Sequence, residues 1–375
     1  MDPDTTPQPR RRSSIRKPIL RVTALLVVIA FALTTETCHN RLFLFPRQAM
    51  SKTPADYALA YEDVTFPSAN GKKLAGWYCP AQDEIGAVVI NHGNTGNIED
   101  YIDYAAILTQ YGMSVLLYDY QGFGKSEGGA SVSTLIDDGV AAFDCLVSRG
   151  HQPGKIAIMG VSLGTMVSCG VIPRRPKAAC LILEGAFLPE TELYWRMGKL
   201  GAPAAYIIAK TLPPIEPQKS IAALNGRPLL MIHGTDDATT PLYGAAQLYE
   251  AARQPKWMWV MDGIKHFPEP IFYRREQYQA VLVLFLRSAF LDEIFHQPRV
   301  FWSTTGSEPW EVSATVQGPP GEIVIITEDN KTIRRKTSDP AKITIQDRPV
   351  TVTAFSEPRT SRPRGQGRAK PETDN

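Results

Sequence analysis

The chain is short of several features, and each shortage narrows what it can be. It has 5 cysteines in 375 residues, no C-x-x-C pair and no cluster of histidine with cysteine. Neither a disulfide framework nor a metal site is therefore expected. Cys145, Cys169 and Cys180 stand in apolar stretches and read as buried thiols. Charge of one sign is not in excess. The formal net charge is +2, which gives no ground for a nucleic-acid partner. There is no dinucleotide-type G-x-G-x-x-G with its acidic partner and no P-loop lysine, so no cofactor is implied. Internal repeats are absent. The apolar run Val22–Leu33 is shorter than a comfortable membrane span.

What is present describes a globular chain. A hydrophobic share of 43% against 21% charged residues suits one large α/β domain with a smaller piece attached. Ahead of the apolar run stand Arg10, Arg11, Arg12, Arg16, Lys17 and Arg21. A basic region before an apolar one reads as a signal peptide or signal anchor, over residues 1–45. The protein is thus expected to be exported or membrane-anchored, in the cell envelope or periplasm if bacterial, with membrane association through this segment. Cys38 stands where a lipoprotein cysteine would, although Thr35-Glu36-Thr37 is not the small-residue lead-in such a site prefers.

From Tyr61 the pattern turns to β. Val64-Thr65-Phe66 and Leu74–Tyr78 flank Asn70-Gly71, a hairpin signal. Strands are expected at Ala87–Asn91, Ser114–Tyr118, Lys155–Met159, Ala179–Leu183, Pro228–Ile232 and Trp257–Met261. Helices are expected at Ile98–Tyr111, Leu135–Arg149, Leu163–Val171 and Glu276–Phe290. This alternation implies an α/β fold, a mostly parallel central sheet covered by helices on both faces, over residues 46–296. The proline-rich stretch 188–226 exceeds an ordinary loop and is expected to form a short cap. Trp310–Val316, Glu322–Thr327, Lys342–Gln346 and Val350–Phe355 read as short strands, giving a small C-terminal all-β appendage over 297–356. Residues 357–375 lack apolar anchors and are expected to be disordered.

The chemistry begins at Gly160-Val161-Ser162-Leu163-Gly164. This G-x-S-x-G sequence places a serine at a sharp strand-to-helix turn. A serine hydroxyl needs a base, a group to orient that base, and donors for an oxyanion. His266 follows the strand Trp257–Met261 and is the expected base. The orienting acid lies in His233-Gly234-Thr235-Asp236-Asp237, where either aspartate could serve. Glu184, at the end of the preceding strand, is a minor alternative, expected rather as a structural hydrogen-bonder or a pocket residue. The backbone N–H of Leu163 supplies one oxyanion donor. The loop His92-Gly93-Asn94-Thr95-Gly96-Asn97 should supply the other, from Asn94.

With these residues the chain resembles the α/β-hydrolase superfamily, and most of all its branch of small serine hydrolases with an H-G-N-x-G-N oxyanion motif, many of them membrane-tethered. The likeness rests on His92–Asn97, Tyr118–Ser126, Gly160–Gly164, and His233-Gly234 with Asp237, Pro241 and His266. It spans roughly residues 60–292. It selects Asp237 over Asp236 and implies a catalytic set of Ser162, Asp237 and His266. Tyr120 and Phe123 would then stand at the acyl pocket. Many relatives have glycine where Thr165 stands and arginine where Gln121 stands.

The expected activity is hydrolysis of a carboxylic ester or thioester of a small-molecule acyl substrate through an acyl-enzyme. A serine peptidase or amidase would use the same residues. A non-catalytic α/β-hydrolase scaffold acting as a binding module is the reading from another class, and nothing in binding requires all three side chains.

Overall fold

Strands and helices alternate along the chain, and a computed structural model gathers most of the strands into one ten-stranded sheet. The structure describes Val28, Phe31, residues 33–211 and 215–291, and the strands within 299–336, leaving out the side chains of 190–196, 198–200 and those last strands. In chain order the elements are α1 (Glu36–Phe43), β1 (Phe45–Pro46), β2 (Glu62–Pro67), β3 (Lys73–Cys79), β4 (Gly86–Asn91), β5 (Thr95–Gly96), α2 (Ile102–Thr109), β6 (Met113–Tyr118) and α3 (Leu135–Ser148). Then come β7 (Ile156–Val161), α4 (Leu163–Val171), β8 (Cys180–Glu184), α5 (Pro189–Thr211), α6 (Pro217–Ala222), β9 (Leu229–Gly234), α7 (Leu242–Ala251), β10 (Lys256–Met261), α8 (Glu269–Tyr273) and α9 (Arg275–Phe290). β11 (Arg299–Ser303), β12 (Trp310–Val312), β13 (Ala314–Gln317), β14 (Glu322–Thr327) and β15 (Thr332–Lys336) follow.

The core strands read as unbroken apolar runs because both faces of the sheet are covered. Along β4, Val88 and Ile90 join the layer that holds Ile102, Tyr278 and Phe285 of α2 and α9, whereas Ala87 and Val89 join the layer of α3, α4 and α7. The two-residue period of a strand sorts one run into two cores. Each fully buried aliphatic side chain there contributes roughly 1.5–3 kcal/mol.

Sheet order fixes the place of the site. The order is β12-β11-β10-β9-β8-β7-β4-β6-β3-β2. From β4 the chain goes to β6 on one side and then crosses to β7 on the other, with β4 pairing in parallel to both. The carboxyl ends of β4 and β7 therefore diverge in topology while lying side by side, and a crevice opens between the loops that leave them.

The hairpin is present, with β2 and β3 in antiparallel register about Phe66↔Leu74. The helix expected at Ile98–Tyr111 instead starts as a 3-10 turn over Ile98–Tyr101 and becomes α2 at Ile102, because the Asn97 side chain accepts the Glu99 N–H and sets the entry. The proline-rich insertion contains the long helix α5 and the short α6. Ala205 and Ile208 of α5 pack against Leu33 and Phe43. Among the described residues no helix is long and apolar enough to cross a membrane. The run Val22–Leu33 lies mostly outside those residues. Cys38 is half-buried inside α1, and its N–H is held by the Thr35 hydroxyl.

The C-terminal strands divide. β11 extends the main sheet, parallel to β10 from Trp257↔Arg299 to Met261↔Ser303, and β12 pairs antiparallel to it. β13, β14 and β15 form a separate antiparallel sheet. The first part of the expected appendage thus belongs to the central sheet, since the chain leaving α9 meets the open edge of β10. The expected strands Lys342–Gln346 and Val350–Phe355, and the tail 357–375, lie outside the described residues.

Candidate active site

β7 delivers Ser162 to the crevice. Its backbone has φ 54° and ψ −121°, a strained conformation that non-glycine residues seldom hold. The turn is tight enough that a Cβ on Gly164 would collide with the Asn91 carbonyl, and one on Gly160 with the Gly164 carbonyl. Neighbours hold the strain in place. Ser162 N–H donates to the Glu184 carbonyl (2.8 Å), and the Thr165 hydroxyl donates to the Ser162 carbonyl (2.7 Å). A serine ahead of a helix usually caps it. Here Oγ makes no capping bond, so the hydroxyl remains available to another partner.

That partner is His266, whose Nε2 lies 2.8 Å from Ser162 Oγ. Its Nδ1 lies 2.6 Å from Asp237 Oδ2. Asp237 is itself fixed: Oδ1 accepts the N–H groups of Thr239 (2.9 Å) and Thr240 (2.8 Å), and Oδ2 accepts the Thr240 hydroxyl (2.8 Å). Burial alone would raise its pKa. The hydrogen bond and the field of His266, with His233 and Thr240 assisting, outweigh burial and hold the carboxyl below its ordinary value. An ionised Asp237 accepts Nδ1–H, which leaves Nε2 as the acceptor for the serine proton. Asp236 does not reach His266. Its carboxylate accepts the Thr235 hydroxyl, and its N–H bonds the Ile264 carbonyl.

Ser162 and His266 line a cavity of about 470 Å³ together with Gly93 and Asn94. Among the described residues no acceptor takes the backbone N–H of Leu163 or of Asn94. The Leu163 group is one of the unpaired donors at the start of α4, where the helix dipole favours negative charge. The Gly93 N–H is occupied, donating to the Tyr101 hydroxyl (2.8 Å). The aromatic part of the cavity wall comes from Tyr57, Tyr101, Phe267 and Phe272, with Tyr101 stacked on Phe267 at 4.8 Å between centroids.

Three expected pocket residues lie elsewhere. Tyr120 and Phe123 are fully buried and absent from the cavity wall. Their rings pack on His92, at 4.0 and 5.0 Å between centroids, and the Tyr120 hydroxyl donates to the His92 carbonyl. Past the end of β6 the alternation of faces no longer holds, and this loop turns its rings inward under the site. His92 is likewise an internal support: burial pushes its pKa down to about 3, and the neutral ring donates to the Gly93 carbonyl. Glu184 sits behind the three residues, lining a void of about 10 Å³ with Asp237 and His266. Burial raises its pKa to about 7, and the hydroxyls of Tyr104 and Tyr278 donate to Oε2. Gln121 also lies in the interior, bonded to Asp138. Sequence reasoning missed Thr240, though an Asp followed three residues later by Thr is a turn signature that could have marked it. It also missed Tyr101 and Phe267, for which no local signal exists.

Comparison with known proteins follows this geometry. The family profile "Serine aminopeptidase, S33" matches residues 82–225. An uncharacterized protein of Mycobacterium tuberculosis, Rv2307c, is 31% identical over 260 residues, 66% of this chain and 87% of that protein. The uncharacterized Escherichia coli protein YfhR is 26% identical over 290 residues, 73% of this chain and 97% of that protein. Among solved structures, the Pyrococcus furiosus esterase Pf2001 superposes with a TM-score of 0.55 at 21% identity, covering 66% of this chain and 98% of its own. The chain has the α/β-hydrolase fold and belongs to one family with the Mycobacterium tuberculosis protein.

Proposed function

We propose that the protein is a serine hydrolase that cleaves a carboxylic ester or thioester through an acyl-enzyme, within the branch carrying the H-G-N-x-G-N oxyanion loop. The observation behind this is the hydrogen-bonded line from Ser162 Oγ to His266 (2.8 Å) to Asp237 (2.6 Å), opening on a cavity that Asn94 also lines, with the N–H groups of Asn94 and of Leu163 next to the serine unbonded among the described residues. In this reading His266 Nε2 takes the Ser162 proton as Oγ attacks the acyl carbonyl. The carbonyl oxygen becomes an oxyanion held by the N–H groups of Leu163 and Asn94, each contributing about 3 kcal/mol to the barrier. The imidazolium, stabilised by Asp237, then protonates the leaving group. Water repeats the sequence on the acyl-enzyme and restores Ser162.

An ester is favoured over the N-terminus of a peptide by the aromatic wall of the cavity, which suits an apolar acyl chain. The cavity's carboxylates are held in ion pairs, Glu99 and Asp100 sharing the Arg47 guanidinium and Asp103 meeting Arg275. The basic and apolar N-terminal segment supports a hydrolase tethered at a membrane or exported. Carbonate extraction of cell membranes tests this, with the protein retained in the pellet if the segment anchors it.

A fluorophosphonate should label the wild type and leave Ser162→Ala unlabelled. A panel of acyl esters, thioesters and aminoacyl amides compared by kcat/KM should favour the esters or thioesters. Equal labelling of both chains would remove the nucleophile from this account.

A further inference from the structure

The oxyanion loop is held by a part of the chain that family motifs do not touch. Residues 43–52 run alongside it, and β1 pairs in parallel with β5. Phe45 N–H donates to the Asn94 carbonyl (2.8 Å), and the Asn94 side-chain amide donates to the Phe43 carbonyl (2.9 Å). Arg47 N–H donates to the Gly96 carbonyl (3.0 Å). The Asn97 amide donates to the carbonyls of Arg47 (3.1 Å) and Ala49 (2.9 Å). The Arg47 guanidinium reaches Glu99 (2.7 Å) and Asp100 (3.0 Å). Glu99 in turn accepts the Ser51 and Lys52 N–H groups.

The geometry bears on one peptide unit. The N–H offered to an oxyanion belongs to the Gly93–Asn94 peptide. Upstream, Tyr101 holds the Gly93 N–H. Downstream, residues 43 and 45 hold both the carbonyl and the side chain of Asn94. That peptide can rotate only by breaking bonds on one side or the other. We propose that residues 43–52 are a positioning strap for the oxyanion donor, with Arg47 as its principal side chain, a role that rests on the serine-hydrolase reading above. Arg47 touches neither the reacting atoms nor Ser162. It acts by fixing residues 97–100, on which the orientation of residue 94 depends.

A merely structural role makes a different demand. The Arg47 side chain is 43% exposed, and exposed ion pairs add little to stability. Losing one for structural reasons alone should therefore leave turnover almost unchanged. A misaligned oxyanion donor instead lowers kcat and leaves ground-state binding intact.

The test uses the full chain with Arg47→Met, with Asn94→Ala (which keeps the backbone N–H but removes its side-chain tether), and with Arg174→Ala as a remote exposed ion-pair control. Each is assayed for kcat and KM on a p-nitrophenyl ester and for inhibition by an alkyl boronic acid, which places an oxygen in the oxyanion site. Arg47→Met and Asn94→Ala should lower kcat by about 10- to 100-fold, with KM within about twofold and boronate affinity weakened in parallel. Arg174→Ala should match the wild type. Wild-type kcat and boronate affinity in both strap variants, or a loss confined to KM, would overturn the strap. Because Asn94→Ala leaves Arg47 in place, the idea stays testable if Arg47→Met does not fold. Turnover surviving in Ser162→Ala would instead overturn the underlying reading, whatever the strap variants do.

Discussion

Asp237 and Thr240 show how much of the proposed chemistry is set by single hydrogen bonds. Asp237 has its lone pairs filled by His266, Thr239 and Thr240, so its oxygens cannot turn away from the imidazole. Asp237→Asn would present an amide able to donate to Nδ1 and so favour the wrong tautomer. It should lower kcat by about 10⁴-fold while the far-ultraviolet circular dichroism stays unchanged. Thr240→Val removes one bond to the charged carboxylate and keeps both backbone donors. A loss in kcat of about tenfold is expected, the worth of one such bond. Steady-state kinetics on one ester separates the two effects, and a Thr240→Val chain as slow as Asp237→Asn would mean that the threonine has a larger part than orienting the acid.

At the scale of elements, the edge of the sheet carries its own consequence. β11 covers the β10 ladder, whose residues include Trp257 and Trp259. A chain ended after Leu291 would bare that edge and should aggregate, whereas one ended after Val312 keeps β11 and β12 and should remain monomeric by light scattering. The elements that place the serine, histidine and aspartate were legible in the sequence. Glycines at 160 and 164, a loop after each core strand and the order of the three residues are local demands, written in adjacent positions. The partition of the C-terminal strands was not legible, because a short apolar run does not say which sheet it will join. Nor was the strap. Residues 43–52 show no periodicity, and Asn97 and Arg47 meet across fifty positions. Tyr120 and Phe123 were misplaced because loop residues beyond a strand end obey no alternation, and only packing decides whether a ring faces solvent or core; Glu184, the last residue of β8, instead has the hydrogen-bonding role that was one of its two expected places.

For the molecule as a whole, buried carboxyls set how stability responds to pH. Burial raises Glu184 from its ordinary 4.5 to about 7, and Asp119 from 3.8 to about 7. A raised pKa in the folded state means that the native protein holds the proton more tightly than the unfolded chain. The stability these groups contribute is therefore fully present below about pH 4 and lost as pH rises through 7. Each accounts for on the order of 3 kcal/mol. Asp237, whose pKa is lowered, acts in the opposite sense and loses its contribution as pH falls through the carboxylate range. The urea midpoint of the wild type should decline between pH 5 and pH 8. Glu184→Gln should flatten part of that decline, because the glutamine oxygen still accepts from Tyr104 and Tyr278 without carrying a charge. An identical slope in both chains would mean that Glu184 is ionised throughout.

The elbow has a practical corollary. Ser162 Oγ caps no helix and, among the described residues, bonds only His266, so trimming it to a methyl should disturb neither backbone nor cavity. A silent copy of this kind can engage its natural substrate without consuming it. Immobilised and bathed in cell extract, it would act as bait, and mass spectrometry of what elutes would put a chemical formula to the bound compound, an acyl ester or thioester on the reading proposed above.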